Sequence, residues 1–189
     1  MPLPPVYQVA GNCDHFRTDT LDIITLSGAK LLLTHGHFDH ILAVKALREQ
    51  LGLPVYAHES EADMLAHPER SNVPMDLRGF GVTDYNAVKD GEVLDLIGFK
   101  WKVIHTPGHS CGSVCYYIEE ENVIFSGDTI FYRTYGRTDF PTGNFSEITD
   151  SIKDKVFAKI DGDVDIFPGH GQSTTLEYEK KYNAILMDS

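Results

Sequence analysis

Short apolar runs alternate along this chain with segments whose apolar positions recur every three to four residues. Leu31-Leu32-Leu33 is too short for a helix and predicts a buried strand ending at Thr34. Beyond it, Ile41, Val44, Lys45, Leu47 and Leu51 recur at helical steps and Gly52 follows as a terminator, so a helix is expected over 41–51. Residues 54–57 read as a strand and 59–66 as a helix. The Pro-, Gly-, Asn- and Ser-rich stretch 67–84 reads as a surface loop. Four strands are predicted after it, over 92–97, 100–105, 114–118 and 123–126, the last two joined across the acidic turn Glu119-Glu120-Glu121-Asn122. A helix over 146–160, a strand over 164–167 and a helix over 175–186 complete the pattern. At the amino end, residues 6–9 read as a short strand and 18–27 as a short helix stopped by Gly28. Strands and helices mixed in this way, with hairpins among the strands, predict an α/β (α+β) fold of two sheets covered by helices.

Length and charge narrow what such a fold does. With 189 residues the chain suits a single domain spanning 1–189. Lys plus Arg number 16 against 28 Asp plus Glu, a net charge of −12. Nucleic-acid binding rests on clustered basic side chains that displace counterions, so the charge argues against nucleic acid and for a small-molecule substrate. No apolar run approaches the roughly 20 residues of a membrane helix. The start, Met1-Pro-Leu-Pro-Pro5, lacks the basic and apolar regions of a signal peptide, and three cysteines do not make a disulfide framework. A cytoplasmic location is the expectation.

The chemistry concentrates in Thr34-His35-Gly36-His37-Phe38-Asp39-His40, placed between a predicted buried strand and a predicted helix. Imidazole nitrogens and carboxylate oxygens are good ligands for zinc and similar ions. His35 and His37 alternate in the turn and can point to one ion, while Asp39 and His40 begin the helix and can face a second. Taken alone, the segment also fits a His-rich surface turn with Asp39 at the positive end of a helix. Three further turns weigh against that reading. His109 in Thr106-Pro107-Gly108-His109-Ser110, Asp128 in Ser126-Gly127-Asp128-Thr129 and His170 in Pro168-Gly169-His170-Gly171 each follow a predicted strand, with glycine beside the polar residue.

In this order THGHFDH, TPGHS, SGDT and PGHG resemble the metal-binding motifs of the metallo-β-lactamase fold, most closely those of glyoxalase II-like thioesterases. The similarity runs from about Leu31 to Gln172, and GRTDFPTG at 136–143 also looks like that subgroup. The resemblance implies an αββα sandwich of two mixed β-sheets flanked by helices, with the site in loops at one edge. It implies a first ion on His35, His37 and His109, a second on Asp39, His40 and His170, and Asp128 bridging both. The expected cofactors are two divalent ions, zinc foremost and iron or manganese as alternatives. The implied activity is hydrolysis of a small thioester by a bridging hydroxide that Asp39 helps to orient. A persulfide dioxygenase-like oxidoreductase with a single iron, or an inactive metal-binding member of the fold, are the alternatives. A β-lactamase is less favoured, because Asp128 stands where many of those enzymes have Cys or Ser.

Two departures accompany the resemblance. Glyoxalase II enzymes carry a C-terminal helical domain that helps bind glutathione, whereas here residues 171–189 alone follow His170. No Asp-Pro-Gly turn precedes the first helix, so the N-terminal sheet is expected to be shortened. Its unpaired edge would template pairing with a second copy, making a homodimer through this region an expectation. Among the other histidines, His15, His58, His67 and His105 read as satisfied core or surface residues, with His58 and His105 also placed to support a ligand. Cys111 reads as a packing thiol. Arg133, Tyr135 and Arg137 follow Asp128 and can meet an anionic substrate, but Arg137 pairs as readily with Asp139. No substrate contact can be named from the sequence.

Overall fold

The structure, a computed structural model, describes residues 29–71 and 73–187. The strand expected at 6–9, the helix expected at 18–27, His15 and the edge proposed for pairing with a second copy lie outside the described residues.

The first sheet holds β1 (Leu31–Leu32), β2 (Val55–His58) and β3 (Asn86–Val88), all parallel, with Leu31 opposite Val55 and Tyr56 opposite Asn86. Parallel neighbours need crossovers, and helices supply the first of them. A short α1 (Phe38–Ile41) breaks at Leu42 before α2 (Val44–Leu51), so the single helix predicted over 41–51 begins earlier and in two pieces. Gly52 ends α2 in the left-handed region at φ 64°, its N–H bonded to the Arg48 carbonyl, as a C-terminal glycine should be. A 3-10 turn at Glu59–Glu61 leads into α3 (Ala62–Ala66).

The second sheet is mixed. β4 (Val93–Leu96), β5 (Phe99–His105), β6 (Val114–Ile118) and β7 (Val123–Gly127) form an antiparallel meander. Between β6 and β7 the acidic turn closes with Asn122 at φ 54°, so the predicted hairpin is present. A small hairpin of β8 (Ile130–Phe131) and β9 (Thr134–Tyr135) follows. Then comes α4 (Phe145–Asp150), capped by the Asn144 side chain and running on as a π-helical segment over Ser151–Phe157. β10 (Asp165–Pro168) returns parallel to β7, β11 (Thr174–Thr175) adds an edge, and α5 (Leu176–Tyr182) closes the described chain. The helix expected over 175–186 stops at Asn183, whose side chain caps a new 3-10 turn at Ala184–Leu186.

Alternation along the strands sorts the apolar side chains into three layers. Leu33, Ile41, Val44, Val55 and Leu65 pack the first sheet against its helices. Val88, Trp101, Val103, Val114, Tyr116 and Ile118 fill the space between the sheets, with Leu32, Tyr56 and Phe125 at its margin. Ile104, Cys115, Tyr117 and Ile124 face Ile148, Ile152, Val156 and Leu176 on the other side of the second sheet. On β6, Tyr116 and Cys115 thus belong to opposite faces. The result is the expected αββα sandwich. The sheets are joined at one end by polar links: Val114 N–H donates to the Thr34 carbonyl (2.8 Å) and the Tyr116 hydroxyl to the Leu33 carbonyl (3.0 Å). Among the described residues no helix is long and apolar enough to cross a membrane.

Ile124 is fully buried on β7 in the middle of the second sheet. Ile124→Ala should lower the free energy of unfolding by about 2–5 kcal/mol through lost burial and the cavity left behind. Val93→Ala, at a side chain 54% exposed, should change it by about 0.5 kcal/mol or less. Urea unfolding followed by fluorescence of the lone Trp101 separates the two.

Candidate metal centre

The seven residues singled out in the sequence converge where loops leave the ends of both sheets. His35 and His37 lie in the turn after β1, with His37 at the N-cap of α1; Asp39 and His40 fall in the single turn of α1. His109 sits in the β5–β6 loop behind Gly108, whose φ of 130° lets the chain turn against the backbone of Ile148. Asp128 directly follows β7, after Gly127 at φ 50°. His170 follows β10. The β7–β10 register slips between Phe167 and Pro168, and Gly169 N–H then bonds the Gly127 carbonyl (2.8 Å), which draws the His170 turn against Asp128.

His109 Nδ1 lies 2.8 Å from the Arg137 carbonyl and so carries the proton, which leaves Nε2 as a bare acceptor. That Nε2 faces His37 Nδ1 at 2.8 Å and His35 Nε2 at 3.2 Å. Three ring nitrogens turned on one another offer lone pairs to a common point, which a cation satisfies and a neutral partner does not. On the other side His170 Nε2 stands 3.1 Å from Asp39 Oδ2 and 3.4 Å from Asp128 Oδ2, and His40 Nε2 stands 3.7 Å from Asp39 Oδ2. Asp128 lies between the groups, its Oδ1 3.3 Å from His40 Nε2 and its Oδ2 3.6 Å from His109 Nε2. Donors around a tetrahedral zinc with bonds of about 2.0–2.1 Å are separated by about 3.3 Å, so the spacings fit. His40 Nε2 and Asp128 Oδ1 are buried without a hydrogen bond, as donor atoms reserved for an ion would be. His37 Nε2 is in the same condition, on the ring whose Nδ1 faces His109.

The electrostatics are those of a cation site. Burial lowers the His37 imidazole to about 3 and holds His35 well below its ordinary value, so both rings stay neutral and keep their lone pairs. Burial alone would raise Asp128 and Asp39, but the adjoining His170 and His40 rings hold both carboxyls below their ordinary value. The same two carboxylates, Asp128 and then Asp39, push His170 up to about 10. Among the described residues three sets of donors are each close enough to hold one ion: His35, His37 and His109; Asp39, His40 and His170; and, between them, His35, His40 and Asp128.

A sequence model of the metallo-β-lactamase superfamily matches residues 29–170, a span that contains all seven of these residues. The chain belongs to the metallo-β-lactamase superfamily. It is 34% identical over 163 residues to a hydroxyacylglutathione hydrolase, GloC, of Haemophilus influenzae, covering 82% of this chain and 74% of that protein. Among solved structures it is similar to BLEG-1, described as a B3 metallo-β-lactamase, at 38% identity and a TM-score of 0.73, covering 83% of this chain and 76% of that one. It is also similar to TTHA1623 in a di-iron-bound form, at 32% identity and a TM-score of 0.71, covering 82% of this chain and 75% of that one.

In this superfamily member the other flagged residues that the structure describes are engaged with partners of their own. His58 stacks on His105 (3.9 Å between centroids), and both rings are committed to the backbone, His58 to Ser60 N–H and His105 to the Cys111 carbonyl. His67 pairs with Glu69 at the surface. The Cys111 thiol donates to the Ser60 carbonyl, and burial raises it away from thiolate character. Arg137 forms a bidentate pair with Asp139 and lies 3.9 Å over the Phe140 ring. It therefore serves the site through its carbonyl, held by His109, a role that no residue pattern could reveal. Arg133 takes φ 60° and gives its N–H to Glu179, while Tyr135 lies in β9. Phe140 meets the His37 ring edge-on at 5.2 Å and Phe131 the His170 ring at 6.2 Å, so aromatic rings flank the centre on both sides.

Glycine at 169 is a condition of this geometry. A Cβ there would lie 2.2 Å from Asp128 Oδ1 and 2.9 Å from His40 Cε1. Gly169→Ala should therefore displace the shared carboxylate and cost ion binding in a protein that still folds. Gly171→Ala, at φ 79° in open space, should cost about 1–3 kcal/mol of stability and leave ion binding intact. Elemental analysis beside a thermal melt distinguishes them, and equal metal content in the two variants would contradict the close approach.

Proposed function

We propose that the protein is a dinuclear metallohydrolase of a small thioester, its resident ions being two divalent cations, zinc foremost with iron or manganese as the alternatives. The carrying observation is the place of Asp128 between two separate donor sets. His35, His37 and His109 would hold one ion, Asp39, His40 and His170 the other, and Asp128 both. Two ions so held supply an activated water near neutral pH and a Lewis acid for the acyl oxygen. The likeness to a hydroxyacylglutathione hydrolase supports the thioester. We take the working unit to be one domain over 1–189, acting in the cytoplasm.

The residues divide the work. Asp39 accepts a hydrogen bond from the attacking water and aims its lone pair at the acyl carbon. The His109–Arg137 hydrogen bond keeps Nε2 unprotonated and the ring fixed. Phe140 and Phe131 bound the approach and pack the apolar part of the substrate. A thiolate, with a free pKa of about 8.5, leaves without a proton donor. An amide nitrogen needs one, and the seven donors and two rings include no evident candidate. β-Lactam hydrolysis nevertheless has a specific observation behind it, the likeness to BLEG-1, and forms the second reading.

Metal-replete protein should hold two ions per chain. Asp128→Ala should lose most of both, and His170→Ala should keep the first. A single iron per chain would favour the dioxygenase-like alternative instead.

Steady-state rates should favour a hydroxyacyl thioester over penicillin and cephalosporin substrates by at least about a thousandfold, roughly 4 kcal/mol in the barrier. Comparable rates would favour the second reading, and no turnover of either would leave an inactive metal-binding protein.

A further inference from the structure

Glu61 is a fully buried carboxyl that the chemistry above does not use. It closes the 3-10 turn after β2 and reaches into the gap between the two loops that carry the first ion's donors. Its Oε2 accepts from Gly36 N–H at 2.9 Å, between His35 and His37. Its Oε1 accepts from Gly112 N–H at 2.8 Å and from the Ser110 hydroxyl, next to His109. Because Ser110 gives its proton to Glu61, the Ser113 hydroxyl donates to Ser110 Oγ (2.8 Å) and accepts from Ser110 N–H (3.1 Å), which ties the far side of the loop to the same carboxylate. Burial raises the Glu61 carboxyl, and the three donors work against that rise.

One glycine in each loop, Gly36 and Gly112, is shaped to the carboxylate. A Cβ at Gly36 would come 2.7 Å from Oε2, and one at Gly112 would come 2.6 Å from Cγ of Glu61. A purely structural glutamate has no need to bond both loops at the residues adjoining ligands. Here one rigid group spans His35–His37 and His109, whose ring nitrogens must meet within about 3 Å while coming from different sheets.

We propose that Glu61 is a positioning residue that locks the His35–His37 loop to the His109 loop and thereby sets the affinity for the first ion. The proposal rests on the dinuclear reading. Backbone N–H groups and a hydroxyl are donors only toward an acceptor, so Gln at this position turns an NH2 group against one of them and releases one loop. Loss of a supporting partner of this kind costs about 10- to 100-fold in metal affinity.

The test is titration of chelator-stripped protein with zinc(II) in competition with a chromophoric chelator. It uses the native chain, Glu61→Gln, Ser110→Ala, and Glu61→Gln placed in the His170→Ala background that keeps the first ion alone. Expected are two ions for the native chain, about 10- to 100-fold weaker first-ion binding for Glu61→Gln in both backgrounds, and a smaller loss in the same direction for Ser110→Ala, which leaves the two backbone bonds in place. Thermal melts of the stripped proteins report stability separately. Unchanged first-ion affinity in Glu61→Gln overturns the proposal, as does equal weakening of both ions accompanied by a lowered melt. If Glu61→Gln does not fold, Ser110→Ala decides, and native first-ion affinity in that variant overturns it. A native chain that takes fewer than two ions fails earlier, at the dinuclear reading, and removes the proposal with it.

Discussion

Everything near the centre is arranged around the burial of one carboxylate. Asp128 is 9% exposed, and an ionised group so placed is stable only if positive charge and hydrogen-bond donors surround it. The chain meets this by bringing three loops into backbone contact around it. A Cβ at Gly136 would stand 1.8 Å from the Asp128 carbonyl oxygen, and one at Gly127 would strike the Thr34 side chain at 2.4 Å. The strands upstream and downstream of Asp128 therefore have to end at one level, and the two sheets have to be stapled at that end, as Val114 and Thr34 staple them. The three apolar layers supply the rigidity that holds polar groups at such separations.

The site was legible in the sequence because its donors come in short motifs, each tied to the end of a strand. His35, His37, Asp39 and His40 fall within six consecutive positions, and His109, Asp128 and His170 each sit beside a glycine that the structure uses for close approach. Strand-forming runs were legible for the same local reason, as in Val114–Ile118 with its uninterrupted burial. β3, β8, β9 and β11 were not. Each is two or three residues long, and Asn86-Ala87-Val88 becomes a strand only because β2 is already there to bond it. The loop expected over 67–84 hides a 3-10 turn at Pro68–Ser71, again held by packing: Ser71 and Pro68 are buried.

Supporting groups were the hardest to see. Glu61 is one acidic residue among several at the start of a helix, a position where acid is ordinary, and its partners lie 25 to 51 residues away in the sequence. The Arg137 carbonyl carries no side-chain signature at all. Glu179 is similar on the opposite flank, fully buried and bonded to Arg133 N–H, Thr174 and Asn183. Such roles are fixed by which backbone groups three dimensions leave unpaired, and a linear reading of residue types does not contain that information.

The connectivity of the second sheet bears on how the molecule assembles. β4, β5, β6 and β7 follow one another through connections at 97–98, 106–113 and 119–122, so their pairing closes short loops at small entropic cost. The contact of β10 with β7 closes a loop across β8, β9 and α4, and the parallel pairs of the first sheet close theirs across α1, α2 and the 67–84 segment. Non-local pairings of this kind set a slower pace than hairpins. The meander is therefore the natural early scaffold, and the cluster of polar side chains, drawn from position 35 to position 170, takes shape only once the late contacts are made. Repulsion and desolvation among those groups fall on the final steps of folding, where an already formed core is there to offset them.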